Sequence, residues 1–112
     1  MIVTIPIKTV SEANQRCHWA VKAKRAKSQR DAASWAIGWQ VTHPLPCTVT
    51  MIRIAPRSLD DDNLRGALKA ARDGIADRLG VKDNDPRVKW EYGQRSGAPK
   101  QYAVEVQIQA TE

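Results

Sequence analysis

The 112-residue chain is poor in the residues that build metal-thiolate and disulfide-rich proteins. It has two cysteines, Cys17 and Cys47, which form no CxxC pair, and two histidines, His18 and His43. Side chains this few and this scattered predict neither a zinc site nor a disulfide framework. Phenylalanine is absent, so four tryptophans and two tyrosines must supply the aromatic packing.

Long apolar runs are also absent, which argues against a membrane-spanning protein. The first residues, Met1 to Ile7, lack the basic region and the long apolar region of a signal peptide. We therefore expect a cytoplasmic protein. The length fits a single domain over residues 1–112, built around one modest core.

Acidic residues are fewer than basic residues. Eighteen Lys and Arg residues against 12 Asp and Glu give a formal net charge of +6. This balance predicts an anionic partner, and nucleic acid fits it better than a membrane surface does.

The hydrophobic periodicity alternates between strand and helix. In chain order the predicted elements are a strand at Val3–Ile7, a helix from about His18 to Val41, a strand at Cys47–Ile54, a helix from Leu64 to Leu79, and strands at Val88–Tyr92 and Tyr102–Ile108. The last two strands flank a segment with Gly97 and Pro99, so we expect an antiparallel hairpin. The order β-α-β-α-β-β predicts an α+β domain, with helices packed on a small mixed or antiparallel sheet.

The first predicted helix is apolar on two sides. One stripe, at spacings of three and four, consists of Trp19, Ala23, Ala26, Ala33 and Ile37, with Arg30 in the same line. Trp35 and Trp39 fall on the opposite side, which indicates a subunit interface or a second buried face. Trp19 and Trp90 lie in apolar patterns and are predicted to be core residues.

A row of acids precedes the second predicted helix. Asp60, Asp61 and Asp62 are followed by Asn63, and Asp85 begins the segment before the next strand. Asp60 and Asp62 share a face if this segment is extended, and Asp85 can approach them if the hairpin pairs with the strand ending at Ile54. Carboxylates so close together repel one another unless a cation neutralises them. Oxygen ligands suit Mg²⁺, whose coordination shell substrate phosphate can complete.

The same acids have a structural interpretation. Asp and Asn are favoured helix N-caps, and acids in a first turn complement the helix dipole. Asp85, before Pro86, could belong only to a turn. The pattern alone leaves the metal site and the cap equally open.

These acids, in this order, resemble the RusA-type Holliday-junction resolvases of bacteria and their prophages. The likeness rests on Asp60-Asp61-Asp62-Asn63-Leu64, a following helix, and then Asp85-Pro86-Arg87-Val88. The family's signature is D-x-D-N, a helix and a later acid pair. The resemblance implies a magnesium-dependent homodimer that cuts four-way DNA junctions symmetrically and leaves 5′-phosphates.

Under this resemblance, Asp60, Asp62 and Asp85 are the catalytic metal ligands. The family's lysine, three residues after the Asn, is replaced by Gly66, and Asn84 replaces the first acid of the later pair. Lys69, one turn beyond Gly66, is then the predicted catalytic cation, and Arg65 is the alternative.

Basic residues supply candidate DNA contacts. Most lie on or before the first predicted helix, and the others lie near the acids: Arg16, Lys22, Lys24, Arg25, Lys27, Arg30, Arg65 and Arg72. Asn14 joins them because the resemblance includes an Asn-containing loop after the first strand. A solvated helix face is the competing interpretation of the basic run.

Three other functions remain open from the sequence. The chain could be a non-enzymatic basic DNA-binding phage protein whose acids only cap a helix. It could instead be an RNA- or ribosome-associated domain, or a metal nuclease that cuts flaps or duplexes. Cleavage of a labelled junction, with Mg²⁺ and with chelator, separates these interpretations.

Overall fold

Six regular elements follow one another in the computed structural model, which describes residues 2–9, 19–38 and 45–110. They are β1 (Ile2–Ile5), α1 (Trp19–Gly38), β2 (Cys47–Ala55), α2 (Asp61–Leu79), β3 (Val88–Ser96) and β4 (Ala103–Ala110). The predicted α+β class and the order β-α-β-α-β-β are confirmed. Neither helix in the described ranges is both long and apolar enough to cross a membrane.

The four strands form one mixed sheet in the order β1-β4-β2-β3. Strand β4 is antiparallel to both β1 and β2, whereas β3 is parallel to β2 in a register running from Cys47↔Val88 to Ala55↔Ser96. The predicted hairpin of the last two strands is therefore wrong, because β2 lies between them. Helix α2 is the reason: it carries the chain back along the sheet, so β3 starts beside the first residue of β2.

The core lies between the two helices and one face of the sheet. Its fully buried side chains alternate along the inner strands and recur on the facing stripes of the helices. They include Val49, Met51, Val104 and Val106 from the sheet and Ala33, Ile37, Leu68, Ala71 and Ile75 from the helices. The helix predicted from Leu64 to Leu79 is thus confirmed, and it begins three residues earlier, at Asp61.

Helix α1 is buried only along its second half. Ala33 and Ile37 are fully buried, and the amide of Gln29 donates a hydrogen bond to the Lys8 carbonyl oxygen at 3.0 Å. Trp19 is 74% exposed, so its predicted core position is wrong. It lies nearly three turns before Gln29, which is the first buried residue of the helix. Trp35 is 64% exposed, and Trp39 lies outside the described residues.

Helix α2 has a cap at each end. Asp60 is the N-cap, and its Oδ1 accepts a hydrogen bond from the Asn63 backbone N–H at 2.9 Å. Gly80 ends the helix in the left-handed region, with φ of 72°, which favours glycine.

Two glycines of α2 give a matched test of the helix packing. A Cβ on Gly74 would collide with the Arg30 carbonyl oxygen and crowd Ala33, whereas a Cβ on Gly66 would meet nothing within 4 Å. We expect Gly74→Ala to lower the free energy of unfolding by about 1–3 kcal/mol, because the helices must separate. Gly66→Ala should raise it by about 0.5–1 kcal/mol. Urea denaturation measures both, and effects of the same sign would contradict this helix crossing.

Candidate metal and nucleic-acid site

The predicted acidic residues Asp60, Asp61 and Asp62 lie at the carboxyl end of β2. Asp60 caps α2, while Asp61 and Asp62 are the first two residues of the helix and are exposed to solvent. The segment is therefore not extended at Asp62, and the expected extended-chain geometry is wrong. The three acids instead occupy the N-cap and the first two positions of the helix, where the positive end of the dipole favours negative charge.

The loop before these acids is held at two points. The side-chain amide of Gln94 contacts both backbone groups of Leu59: its Oε1 accepts from the N–H at 2.9 Å, and its Nε2 donates to the carbonyl oxygen at 2.7 Å. Arg53 donates to the Arg57 carbonyl oxygen at 2.6 Å. Strands β2 and β3 therefore fix the path of the chain into Asp60.

Arg53 is a functional candidate that the sequence reasoning missed. It is 6% exposed, and it also donates to the Thr9 hydroxyl at 3.1 Å and to the Thr9 carbonyl oxygen at 3.4 Å. Burial lowers the pKa of its guanidinium. The alternation of the strand predicts this burial, because Arg53 lies on the same face of β2 as the buried residues Val49 and Met51. It ties the end of the β1 segment to the acidic loop.

Asp60, Asp61 and Asp62 differ from every other carboxylate that the structure describes. Each of the others has a basic partner: Lys27–Asp31, Arg30–Asp77, Lys69–Asp73, Lys69–Asp83, Arg87–Asp85, Lys89–Glu91 and Arg95–Glu105. No Lys or Arg of residues 2–9, 19–38 or 45–110 forms an ion pair with the three consecutive acids. In a chain of net charge +6, these three consecutive acids therefore have no counter-ion among the residues that the structure describes.

Asp85 does not join the three acids within one chain. It precedes β3, whose start is bonded to the start of β2 through the Cys47 N–H and the Arg87 carbonyl oxygen. Asp60 follows the far end of β2, and nine strand residues span about 30 Å. The predicted convergence is wrong, because it depended on a hairpin that the parallel pairing excludes.

Asp85 is instead held by Arg87. Its Oδ1 accepts from the Arg87 backbone N–H at 2.9 Å, and the guanidinium donates to Oδ2 at 2.8 Å. These contacts lower the pKa of Asp85 to about 2, the side-chain hydrogen bond from Arg87 being the largest cause. The carboxylate is therefore ionised throughout the neutral range.

Lys69 is not directed at the acidic turn. Its ammonium lies 3.2 Å from Asp73 Oδ1 and 3.4 Å from Asp83 Oδ2, nearer the C-terminal end of α2. The pKa of Lys69 is raised, first by the hydrogen bond to Asp73. Its predicted place beside Asp60 and Asp62 is therefore wrong: α2 is continuous, and Lys69 lies two turns beyond Asp62.

Arg65 and Arg72 lie along the groove between α2 and β3. The Arg65 guanidinium is 5.5 Å from the centre of the Tyr92 ring, one turn after the acids. Arg72 stacks 4.6 Å from the centre of the Trp90 ring and donates to the Tyr92 hydroxyl and the Asp83 carbonyl oxygen. Arg72 thus has structural partners, and Arg65 is the cation placed nearest to the acidic turn along α2.

The predicted DNA contacts on α1 are dispersed around the helix. Lys24 and Lys27 are exposed, whereas Lys22 and Arg25 are half-buried. Arg30 makes a two-point ion pair with Asp77, at 2.7 and 2.8 Å, which links the two helices. Asn14 and Arg16 lie outside the described residues.

The donor chemistry of the acidic turn fits Mg²⁺. One Asp60 oxygen is used by the cap, and Asp61 and Asp62 accept no hydrogen bond from the described residues. In the described ranges no group of three or more His, Cys, Asp or Glu side chains is placed to hold a metal ion. Magnesium is commonly bound by one or two carboxylates with water and substrate phosphate, so two acids from this turn suffice. Neither a protein-family model nor a curated protein matches this chain.

Proposed function

We propose that the protein is a magnesium-dependent endodeoxyribonuclease that resolves four-way DNA junctions. The proposal rests on a difference in ion pairing between three acids and the other described carboxylates. Asp60, Asp61 and Asp62 are the described carboxylates without a basic partner, and they stand together at a rigidly held turn. Three adjacent negative charges are stable there when a cation binds them.

The net charge of the chain supports nucleic acid as the substrate. A protein of net charge +6 attracts a polyanion, whereas its acidic turn alone would repel the phosphate backbone. A bound divalent cation resolves this conflict, because it reverses the local charge where the backbone must approach. Arg65, one turn along α2, adds a fixed positive charge beside that position.

The reaction is hydrolysis of one phosphodiester bond per site. Magnesium bound here would supply the Lewis acidity that polarises a phosphoryl oxygen and activates water. Water adds to phosphorus as the bond to the 3′ oxygen breaks, leaving a 5′-phosphate and a 3′-hydroxyl. Asp60 and Asp62 would hold the cation, and Arg65 would offset negative charge on the transferred group. Gln94 and Arg53 fix the loop that precedes the two acids.

Asp85 can contribute to this site only from a second protomer. Within one chain it lies at the opposite end of β2 and β3 from Asp60. A two-fold axis that crosses β3 exchanges the two ends, which brings the partner subunit's Asp85 towards Asp60 and Asp62. An isologous dimer then has two equivalent sites, as two symmetric cuts in a junction require.

The test is cleavage of a labelled four-way junction. The proposal expects paired, symmetric cuts in Mg²⁺ and none in chelator, with matched duplex and single strands left intact. Cutting of duplex at the same rate would retain the metal nuclease but contradict the junction substrate. Salt-dependent binding with no cutting in any metal would contradict the enzyme.

One observation favours a second candidate, a DNA-binding protein without catalysis. Asp60 is an N-cap with its hydrogen bond in place, which gives this acid a structural role. This candidate expects junction binding that is indifferent to Mg²⁺. It also expects Asp62→Asn to bind DNA slightly more tightly, since one repelling charge is lost.

A further inference from the structure

Strand β3 forms one edge of the sheet, and its outer side has no partner strand among the described residues. The Cys47 N–H donates to the Arg87 carbonyl oxygen, and the Gly97 N–H donates to the Ala55 carbonyl oxygen. Odd-numbered residues of this segment therefore direct their backbone groups towards β2. The even-numbered residues, Val88, Trp90, Tyr92 and Gln94, direct theirs outward.

We propose that this edge is a dimer interface: β3 pairs antiparallel with β3 of a second copy, across a two-fold axis at Trp90. The two four-stranded sheets then become one continuous sheet. The outward N–H and C=O groups of the even-numbered residues supply the hydrogen bonds.

The charged and aromatic side chains of β3 together favour this register. With the axis at Trp90, Lys89 lies directly opposite Glu91 of the second copy, and symmetry repeats the pair. Val88 then faces Tyr92, and Trp90 faces its own counterpart, which gives apolar and aromatic pairs on the helix side of the sheet. Opposite charges and aromatic pairs directly across two strands are both stabilising.

Neighbouring registers oppose like charges. An axis at Lys89 sets the two Lys89 side chains against each other, and an axis at Glu91 does the same for Glu91. An axis at Tyr92 sets Lys89 opposite Arg95. The outward groups require the axis to pass through a residue. Within Val88–Ser96 an axis at Gly93 also opposes unlike charges, Glu91 and Arg95, but it sets Trp90 against Ser96 and Tyr92 against Gln94. Only the axis at Trp90 joins unlike charges with apolar and aromatic pairs.

Edges that avoid pairing usually carry proline, a bulge or lysines. Val88–Ser96 contains no proline, pairs with β2 in an unbroken nine-residue register, and alternates the sign of its charges. Alternating charge is self-complementary in an antiparallel pair, so it suits an identical strand better than it protects an edge.

The pairing also bears on the acidic turn, a consequence that rests on the proposed function. In this register Val88 lies opposite Tyr92 of the second copy, so the turn from Asp85 to Val88, closed by the Val88 N–H and the Asp85 carbonyl oxygen, lies towards Arg95 of that copy. Arg95 is adjacent to Gln94, which holds Leu59 immediately before Asp60. The edge-to-edge dimer therefore brings the partner subunit's Asp85 to the end of the sheet that carries Asp60 and Asp62.

Charge reversal tests the pairing without DNA or metal. Lys89→Glu and Glu91→Lys should each weaken self-association by at least about tenfold in sedimentation velocity, since each creates two like-charge pairs. An equal mixture of the two variants should recover the dimer to within about threefold, because every cross-strand pair in the heterodimer is of unlike sign. Lys82→Glu, which makes the same charge change away from the edge, should leave the dimer unchanged.

The mixture distinguishes pairing between chains from pairing within one. Lys89 and Glu91 also form an ion pair inside each protomer, at 3.5 Å, and each variant breaks it. Mixing cannot repair that pair, so recovery reports the contact between copies. A wild-type monomer at about 100 µM, or a mixture that stays monomeric, would overturn the interface. Loss of cleavage with the dimer intact would count against the proposed function alone.

Discussion

Asp62→Asn is expected to lower the rate of Mg²⁺-dependent junction cleavage by at least about a thousandfold, or ~4 kcal/mol of activation free energy. The variant keeps the shape of the side chain and the Asp60 cap but removes one of the two carboxylates that the acidic turn contributes to the cation site. The Asn63 N–H still donates to Asp60, so α2 should begin at the same residue. Single-turnover cleavage of a labelled junction measures the loss.

Asp31→Asn is the matched control for this change. Asp31 is exposed on α1 and pairs with Lys27 at 3.0 Å, far along the chain from the acidic turn. An exposed pair of this kind contributes little to stability, so the control should cleave at nearly the wild-type rate. A full rate in Asp62→Asn would remove that residue from the metal site, and equal losses in both variants would indicate a general charge effect.

The second large effect is complementation between two inactive variants. Asp62→Asn and Asp85→Asn should each be inactive alone, because each damages both sites of a homodimer that shares its acids across the two-fold axis. In an equal mixture, each heterodimer has one site with both acids intact. About a quarter of the wild-type sites should then be active, given random pairing of protomers in a symmetric dimer.

A supercoiled plasmid with an extruded cruciform is the suitable substrate for this mixture. A heterodimer with one working site nicks a single strand, so open circles should appear and linear products should not. Mixing Asp60→Asn with Asp62→Asn is the control. Each protomer of that heterodimer carries one change in its own acidic turn, so neither site is intact and no activity should return. A mixture of Asp62→Asn and Asp85→Asn that stays inactive would contradict the shared site.

Helix α2 shows how much of the candidate site can be predicted from the sequence. Its apolar stripe, the acid-rich start and Gly80 at the end predict a helix with Asp60 near its first turn, and the structure confirms each. These are local signals, in which side chains bond or pack within one or two turns. Whether the three acids form ion pairs depends on where the lysines and arginines lie in the folded protein. A local sequence pattern does not predict those positions.

The error over Asp85 has a different cause. Alternation in residues 88–92 and 102–108 identifies two strands correctly, but alternation carries no information about which strand is the neighbour. A helix between β2 and β3 favours a parallel crossover, and this preference outweighs the nearness of the last two strands in sequence. Trp19 illustrates the same limit, because a helical stripe predicts a face but not how far the partner helix extends along it.

Magnesium binding tests the central claim most directly. Isothermal titration calorimetry of the wild-type protein with MgCl₂ should show uptake of the ion, and the Asp60→Asn/Asp62→Asn double variant should show none. Asp31→Asn should bind as the wild type does. Identical titrations of the wild type and the double variant, with or without junction DNA, would contradict a metal site at the start of α2.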